Sequence, residues 1–505
     1  MKRRRARPRY AHARASALRP HGAMMLSVLV CHSYFLHMDQ KQRERGKPYP
    51  PLATLQVAAM LRKAGRRVAF FDAMIAQDFN EYERKLAAVR PQVVLLYEDT
   101  FNFLSKMCLA TMRRAACQMI GLARRSGARV IAAGPDVSDS PAPYLQAGAD
   151  VALFGEGLSA LLDLLGRLDV HPSAPSADLA SGLSGVNVLR QDKVVATGGA
   201  RVLRSADYDG FAAWDLVDMD RYRSVWMNTH GYFSLNMAAS RGCSFRCAWC
   251  AKPTWGNLYL QRDAVAVAAE MAYLKQGFDP HHIWFADDIF GFRVDWVTDF
   301  AAAAAAAGPV RFTIQTRADL ISESMAQALE RAGCYEAWIG AESGSQRVLD
   351  AMNKGTTVSQ IVTARNRFRS AGIRVGFFIQ LGYLGEQLDD ILATRDLLAA
   401  ARPDEIGVSV SYPLPGTKFH ELVKAQLGDK TRWQDSNDLD MMFRGTYSSD
   451  FYRLVRNLLH DEISLQAEAT HNPAVSTRSL EQRWQELIDS EAQYRSLNGR
   501  AAAVG

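Results

Sequence analysis

Cysteine is sparse in this chain: seven residues in 505, and an odd number. That excludes a disulfide-stapled secreted scaffold. No segment approaches the ~18 consecutive apolar residues that a membrane span needs. The first 23 residues lack acids altogether, yet carry eight cations: Lys2, Arg3, Arg4, Arg5, Arg7, Arg9, Arg14 and Arg19. The whole chain holds 60 Lys and Arg against 53 Asp and Glu, a net of +7, which at first suggests nucleic acid or an anionic surface as partner. Without those eight, 52 basic residues face 53 acidic ones, a net of −1. The basic balance therefore rests on one short segment, and nucleic acid is disfavoured as a partner. An export signal needs an apolar run of about seven residues or more followed by a small-residue cleavage site; Met25–Val30 instead runs straight into a patterned domain. Residues 1–23 read as a basic disordered leader, or as an upstream start with Met24 or Met25 the true initiator, in a cytoplasmic protein. A nucleic-acid arm is the alternative.

What is present suffices for two or three domains with real cores, at 48% hydrophobic and 22% charged residues. Apolar β-rich runs at Leu26–Cys31, Arg67–Phe71, Val93–Tyr97, Val130–Ala133 and Val151–Phe154 alternate with helical spacing at Leu52–Lys63, Ser105–Arg125 and on to Leu168. That rhythm predicts an α/β unit over 24–170, a doubly wound parallel sheet with helices on both faces. Its ligand edge, beyond the strand carboxyl ends, reads Tyr97-Glu98-Asp99-Thr100 and Gly134-Pro135-Asp136. Residues 171–230 begin as a Ser/Ala/Pro/Gly-rich linker to about Gly199, and the aromatic, acidic stretch Asp207–Arg221 has no assignable shape. Over 231–425 six βα units follow, with strands near Tyr232–Ala238, His282–Phe285, Phe312–Gln315, Ala337–Gly340, Arg374–Ile379 and Ile406–Ser411. They fit a partial (β/α)6 barrel with its site at the strand carboxyl ends. Residues 426–505 look helical and amphipathic.

Three of the cysteines, Cys243, Cys247 and Cys250, form a CxxxCxxC loop directly after the first barrel strand. Three thiolates on one tight loop suit three irons of a cubane and leave the fourth iron open. A closed zinc site needs a fourth Cys or His, for which His281 or His282 is the alternative source. Cys31, Cys108, Cys117 and Cys334 read as ordinary buried thiols, with Cys31 at a strand end where it could face a ligand.

With these residues the sequence resembles the radical S-adenosylmethionine (SAM) superfamily, specifically its cobalamin-binding branch and the class B methyltransferases. The resemblance implies a 4Fe-4S cluster on Cys243, Cys247 and Cys250, with Trp249 beside the SAM adenine. It implies Asp287 or Asp288, ending the second barrel strand, at the methionine ammonium; a helix cap is the plain alternative. Arg317, ending the third, reaches a carboxylate or pairs with Asp319. Glu342 and Ser343, in Gly340-Ala341-Glu342-Ser343-Gly344, lie at the ribose and methionine; the alternative for Glu342 is a structural ion pair. Gly382-Tyr383-Leu384-Gly385-Glu386 and Pro413-Leu414-Pro415-Gly416 match the last two barrel loops.

The first unit resembles a Rossmann-like cobalamin-binding domain. Tyr97, Thr100, Gly134, Pro135, Gly155, Glu156 and Gly157 are then the cobalamin candidates, small residues letting the backbone approach the corrin. No DxHxxG signature is present, and neither His32 nor His37 has that context, so cobalamin binds without a histidine below it. The implied activity is methylation of an unactivated carbon or phosphinate phosphorus of a small-molecule or natural-product substrate. It uses two SAM molecules: one methylates cobalamin, the other yields a 5′-deoxyadenosyl radical. An electron donor such as flavodoxin or ferredoxin is the implied partner. Rival readings are an oxidative cyclase or rearrangement enzyme of the same branch, a tRNA methylthiotransferase using Cys31, Cys108 and Cys117 for a second cluster, and a cobalamin sensor.

Overall fold

A computed structural model describes residues 25–199, 210–250, 257–428, 430, 432–433, 439–471 and 478–496. The basic segment 1–23 lies outside them. The first sheet comprises β1 (Val28–Cys31), β2 (Val68–Phe71), β3 (Val93–Tyr97), β4 (Arg129–Ala133), β5 (Val151–Leu153), β6 (Val186–Arg190) and β7 (Lys193–Ala196). Their spatial order is β2-β1-β3-β4-β5-β6-β7, the first five parallel. Runs such as Val93-Val94-Leu95-Leu96-Tyr97 are buried throughout because both faces are covered. Val28, Val30, Val93 and Leu95 enter one core, while Leu29, Cys31, Val94 and Leu96 enter another. The sheet is doubly wound and Rossmann-like, and its order reverses at β1 and β3, where such folds bind ligands.

Three local expectations need correction. The stretch read as a linker contains a helix (Ser176–Ala180) and the β6–β7 hairpin, which extends the sheet antiparallel from β5. Its two turn residues, Gln191 and Asp192, both have positive φ without a glycine to announce it. The helix expected over Ser105–Arg125 is broken into Phe103–Lys106 and Ala110–Arg125 around Cys108, at φ 56°. A helix at Phe79–Val89, capped by the Asp78 carboxylate, was not foreseen.

The second sheet is six parallel strands: β8 (Ser234–Met237), β11 (His282–Phe285), β12 (Arg311–Thr316), β13 (Cys334–Glu342), β14 (Arg374–Leu381) and β15 (Glu405–Val410). They run in the order β15-β14-β13-β12-β11-β8. Between β8 and β11 a short antiparallel ribbon forms from β9 (Ser240–Arg241) and β10 (Leu260–Gln261). Leu235, Ile283, Phe312, Ile339 and Phe377 pack under the helices. Register places Asn236, Trp284, Gln315, Trp338 and Phe378 on the opposite, inner face of a half-barrel.

The two sheets share a core. Tyr34, Leu52, Leu55 and Met74 are buried with barrel residues Phe233, Leu235 and Phe285. The Trp226 indole, on the helix Met219–His230, donates to Pro48 O at 2.7 Å. Asn236 Nδ2 donates to Pro50 O at 3.0 Å, and the Tyr49 hydroxyl lies 3.1 Å from Ser234 Oγ. Helices Ser449–His471 and Arg478–Tyr494 close the far side, the first against β15. Residues 432–433 cross back to the first sheet. Arg432 Nε donates to Asp136 at 2.7 Å, Ala110 N donates to Trp433 O at 2.8 Å, and Trp433 meets the Tyr412 ring edge-on.

Asp136 is thus held by Arg113, Arg432 and the Tyr144 hydroxyl. Burial alone raises its pKa, but the two guanidinium groups outweigh this and hold it below the usual carboxylate range. Asp136→Ala leaves both cations without their carboxylate and should lower stability by about 3–5 kcal/mol. Arg62→Ala, breaking the open Arg62–Asp215 pair, should cost less than about 1 kcal/mol. Urea unfolding with unchanged slope measures both; equal losses would contradict the burial argument.

Candidate functional site

The cysteine loop hangs from the β9–β10 ribbon. Gly242, at φ +75°, starts it; a Cβ there would lie 2.4 Å from Leu258 O, so no larger residue fits. Cys243 is buried, Cys247 and Cys250 are half-buried, and none of the three is in a disulfide. Neighbouring strand-end loops fix the backbone between them. Ala248 N donates to Met352 O at 2.8 Å, Phe419 N to Ala248 O at 2.9 Å, and Asn353 Nδ2 to Arg246 O at 2.8 Å. Residues 251–256 lie outside the described set.

The zinc alternative fails on geometry. His281 Nδ1 accepts from Phe233 N, and the His282 ring lies between Ser234 Oγ and Thr313 Oγ1. Both rings sit at the amino ends of the strands, away from the cysteine loop, and burial pushes His282 down to about 4. Among the described residues no three His, Cys, Asp or Glu side chains gather as a single ion requires. A cubane instead takes each thiolate on a different iron, which three cysteines of one braced loop, none of them in a disulfide, fit.

Around this loop stand the other sequence candidates. Asp287 is fully buried, accepting from Ala239 N and the Ser240 hydroxyl; burial pushes its carboxyl up to about 7 despite those bonds. Asp288 pairs with Lys106 at 2.7 Å. Glu342, at φ 63°, pairs with Lys354 at 2.7 Å, the ion-pair alternative. Ser343 Oγ accepts from Ser345 N and faces Thr394 Oγ1, serving the turn itself. Arg317 pairs with Asp319 and does not stand free. Several buried polar atoms at this end lack a protein partner: Trp249 Nε1, Thr356 Oγ1, Gln380 Oε1 and Glu386 Oε1. Buried polar groups are ordinarily satisfied, so these orphans suit a polar ligand such as SAM. Burial also holds Glu386 at about 8.

The first sheet turns its ligand edge towards the same place. The Tyr97 hydroxyl donates to Glu156 O at 3.0 Å, and Arg241, two residues before Cys243, donates to Glu156 Oε1 at 2.7 Å. With Lys106–Asp288, two ion pairs bind the carboxyl ends of β3 and β5 to those of β8 and β11. Thr100 is half-buried at this edge, and Pro135 opens the short helix Pro135–Asp139. The glycines have an internal reason beyond the expected close approach of a cofactor. A Cβ on Gly134 would strike the Glu98 side chain at 2.7 Å, and one on Gly157 the Leu153 side chain at 2.7 Å. Gly155 N donates to Ser138 Oγ. A pocket lined by Ser33, Tyr34, Phe35, Thr111 and Met112 opens at the β1/β3 switch point, and the rings of Phe103 and Phe154 are exposed. The pocket is small, and the edge also buries the carboxylates of Glu98, Asp99 and Asp136.

The two histidines near β1 are engaged elsewhere: His32 Nε2 accepts from Ala73 N and lies 3.1 Å from Asp72, and His37 Nδ1 lies 3.2 Å from Ala76 O. Cys31, Cys108 and Cys117 each donate to a different carbonyl, of Leu95, Lys106 and Pro143. Nothing gathers them for a second cluster. Sequence reasoning missed Lys106, Arg241 and Lys354 as partners. Their signal was weak, because each is a lone cation whose partner lies on another loop.

Residues 237–398 match the Radical SAM superfamily model. An uncharacterized methyltransferase of Pyrococcus horikoshii is 24% identical over 387 residues, covering 75% of this chain and 80% of that one. An anaerobic magnesium-protoporphyrin IX monomethyl ester cyclase of Cereibacter sphaeroides is 24% identical, covering 75% of this chain and 61% of its own. The structure of TsrM, a radical S-adenosylmethionine methyltransferase from Kitasatospora setae with cobalamin and a 4Fe-4S cluster bound, superposes with a TM-score of 0.64. The identity is 18%, with 80% of this chain and 75% of that chain covered.

Gly242→Ala should distort the cysteine loop and at least halve the iron and sulfide retained after anaerobic reconstitution. Gly277→Ala, where nothing lies within 4 Å, should retain both fully. Equal retention in the two variants would show that the loop does not depend on the close approach to Leu258.

Proposed function

We propose that this chain, whose residues 237–398 form a radical SAM domain, is a cobalamin-dependent methyltransferase. It acts on an unactivated carbon or a phosphinate phosphorus of a small molecule. The observation that carries this reading is the facing of two ligand edges, joined by Lys106–Asp288 and Arg241–Glu156. One edge bears the cysteine loop and the other the switch point of a Rossmann-like sheet. When bound, the cluster supplies the electron that cleaves SAM, and cobalamin serves as the methyl carrier.

The chain's own residues do the rest. Cys243, Cys247 and Cys250 hold the cluster. Trp249, Asp287, Asp288, Glu342 and Ser343 line the SAM side, with Arg317 behind the loop. A cationic ligand beside Asp287 favours its ionised form, drawing the carboxyl down from about 7. Tyr97, Thr100, Gly134, Pro135, Gly155, Glu156 and Gly157 form the cobalamin rim. The shared core keeps both edges in one orientation and excludes water between them. We assign residues 24–170 and the β6–β7 hairpin to the cobalamin module, 231–425 to the barrel, and the helical 426–505 to its closure. A low-potential donor of the flavodoxin or ferredoxin class supplies electrons. No helix among the described residues is long and apolar enough to cross a membrane, and we place the protein in the cytoplasm.

The second reading, an oxidative cyclase with the same cofactors, is favoured by the resemblance to the magnesium-protoporphyrin cyclase. Product mass separates them: methylation adds one methylene, oxidative cyclisation adds none.

Anaerobic reconstitution with iron, sulfide and cobalamin should give cluster and cobalamin absorption bands, with reductant-dependent release of 5′-deoxyadenosine from SAM. Cys247→Ala should abolish that release, by at least a hundredfold, and leave cobalamin binding intact. A wild-type protein that binds cobalamin yet never cleaves SAM would replace the enzyme reading with a sensor.

A further inference from the structure

Arg317 follows β12 and is 4% exposed. Its Nε donates to Asp319 Oδ1 at 2.9 Å; its Nη2 donates to Asp319 Oδ2 at 3.1 Å and to Lys354 O at 2.8 Å. The guanidinium lies 3.7 Å from the centroid of Phe245, and Nη1 donates to Cys247 Sγ at 3.8 Å. Phe245 and Cys247 belong to the same loop, Phe245 between the first two cysteines and Cys247 the second of them. A guanidinium has five N–H donors, and four are engaged here. One N–H on Nη1 is left. Of the two roles expected from sequence, reaching a carboxylate or pairing with Asp319, the side chain takes the second, and a two-pronged grip on a ligand carboxylate would require it to leave Asp319. The side chain is built to face the cysteine loop.

We propose that Arg317 is a positioning residue for the cluster, raising its reduction potential through the hydrogen bond to the Cys247 sulfur and the adjacent fixed positive charge. This rests on the function proposed above. The physical reasoning is short. Reduction adds one negative charge to the cluster and its thiolates. An N–H aimed at a ligand sulfur, and a buried cation that salt screens little, both stabilise the more negative state. Asp319 offsets part of the charge, but it binds the Nε and Nη2 side and leaves Nη1 towards sulfur. The stack on Phe245 holds the plane of the guanidinium, a geometry that a lysine ammonium cannot reproduce. The electron comes from an external low-potential donor and passes to the cluster without proton transfer to Arg317.

The test is a redox titration of the reconstituted protein, without SAM or cobalamin, using dithionite and mediators and followed by electron paramagnetic resonance. Arg317→Gln removes both charge and fork. At fixed poise its reduced-to-oxidised ratio should fall at least tenfold, which is about 59 mV for a one-electron couple. Arg317→Lys keeps the charge and should fall by less. Iron content and circular dichroism show that each variant is loaded and folded. An unchanged potential in Arg317→Gln overturns the inference, above all if SAM binding weakens, since that is the signature of a carboxylate clamp. Loss of the cluster from both variants overturns it too, because a potential-setting contact leaves the three thiolates in place. If the wild-type protein itself takes up no 4Fe-4S cluster, the proposed function falls first. If it does and the variants match it, only the role of Arg317 falls.

Discussion

Three cysteine sulfurs have to be held together within eight residues, and no helix or strand of their own can hold them there. That constraint organises the centre of the molecule. The loop is braced from outside, by Met352 and Asn353 together after β13, by Phe419 after β15, and by Arg317 after β12. Each brace comes from a different βα unit. The loop's shape is therefore a property of the completed half-barrel, with Gly242 supplying the one backbone conformation that lets it begin under Leu258.

The same logic extends across the two sheets. A first sheet with its own two cores would ordinarily be an independent domain on a flexible tether. Here the Tyr49–Leu55 region is sunk into the barrel's core, and Trp226, Tyr49 and Asn236 fix it with hydrogen bonds. Lys106–Asp288 and Arg241–Glu156 then align the two ligand edges, while residues 432–433 bind the opposite flank through Asp136 and Tyr412. Apolar burial holds the modules together, and the ion pairs set their register.

Legibility in the sequence followed locality. The parallel strands of both sheets, the helices Leu52–Lys63 and Val358–Ser370, and the cysteine loop were all readable, because period, composition and short spacing are local signals. The β6–β7 hairpin was not, since its turn uses Gln191 and Asp192 where glycine would normally mark positive φ. Nor was the break at Cys108, where a helical apolar pattern continues across a left-handed residue. At the site, residue types were legible but their partners were not. Glu342 stood out by its motif, yet its pairing with Lys354 depends on a turn closing. For Arg317 the pairing with Asp319, two residues on, was legible, whereas Phe245 and Cys247, some seventy residues away in the chain, were not.

The shared core also bears on how the protein is made. Leu52, Leu55 and Met74 leave the ribosome well before Phe233 and Phe285, barrel residues of the core they share. At ~5–20 residues per second, the gap is on the order of ten seconds. Through that interval the first sheet presents an uncovered apolar flank, and its ligand edge stands open, with Lys106 and Glu156 still awaiting Asp288 and Arg241. Biogenesis thus passes through a stage in which the first sheet must keep this flank from non-native contacts without the barrel that later buries it.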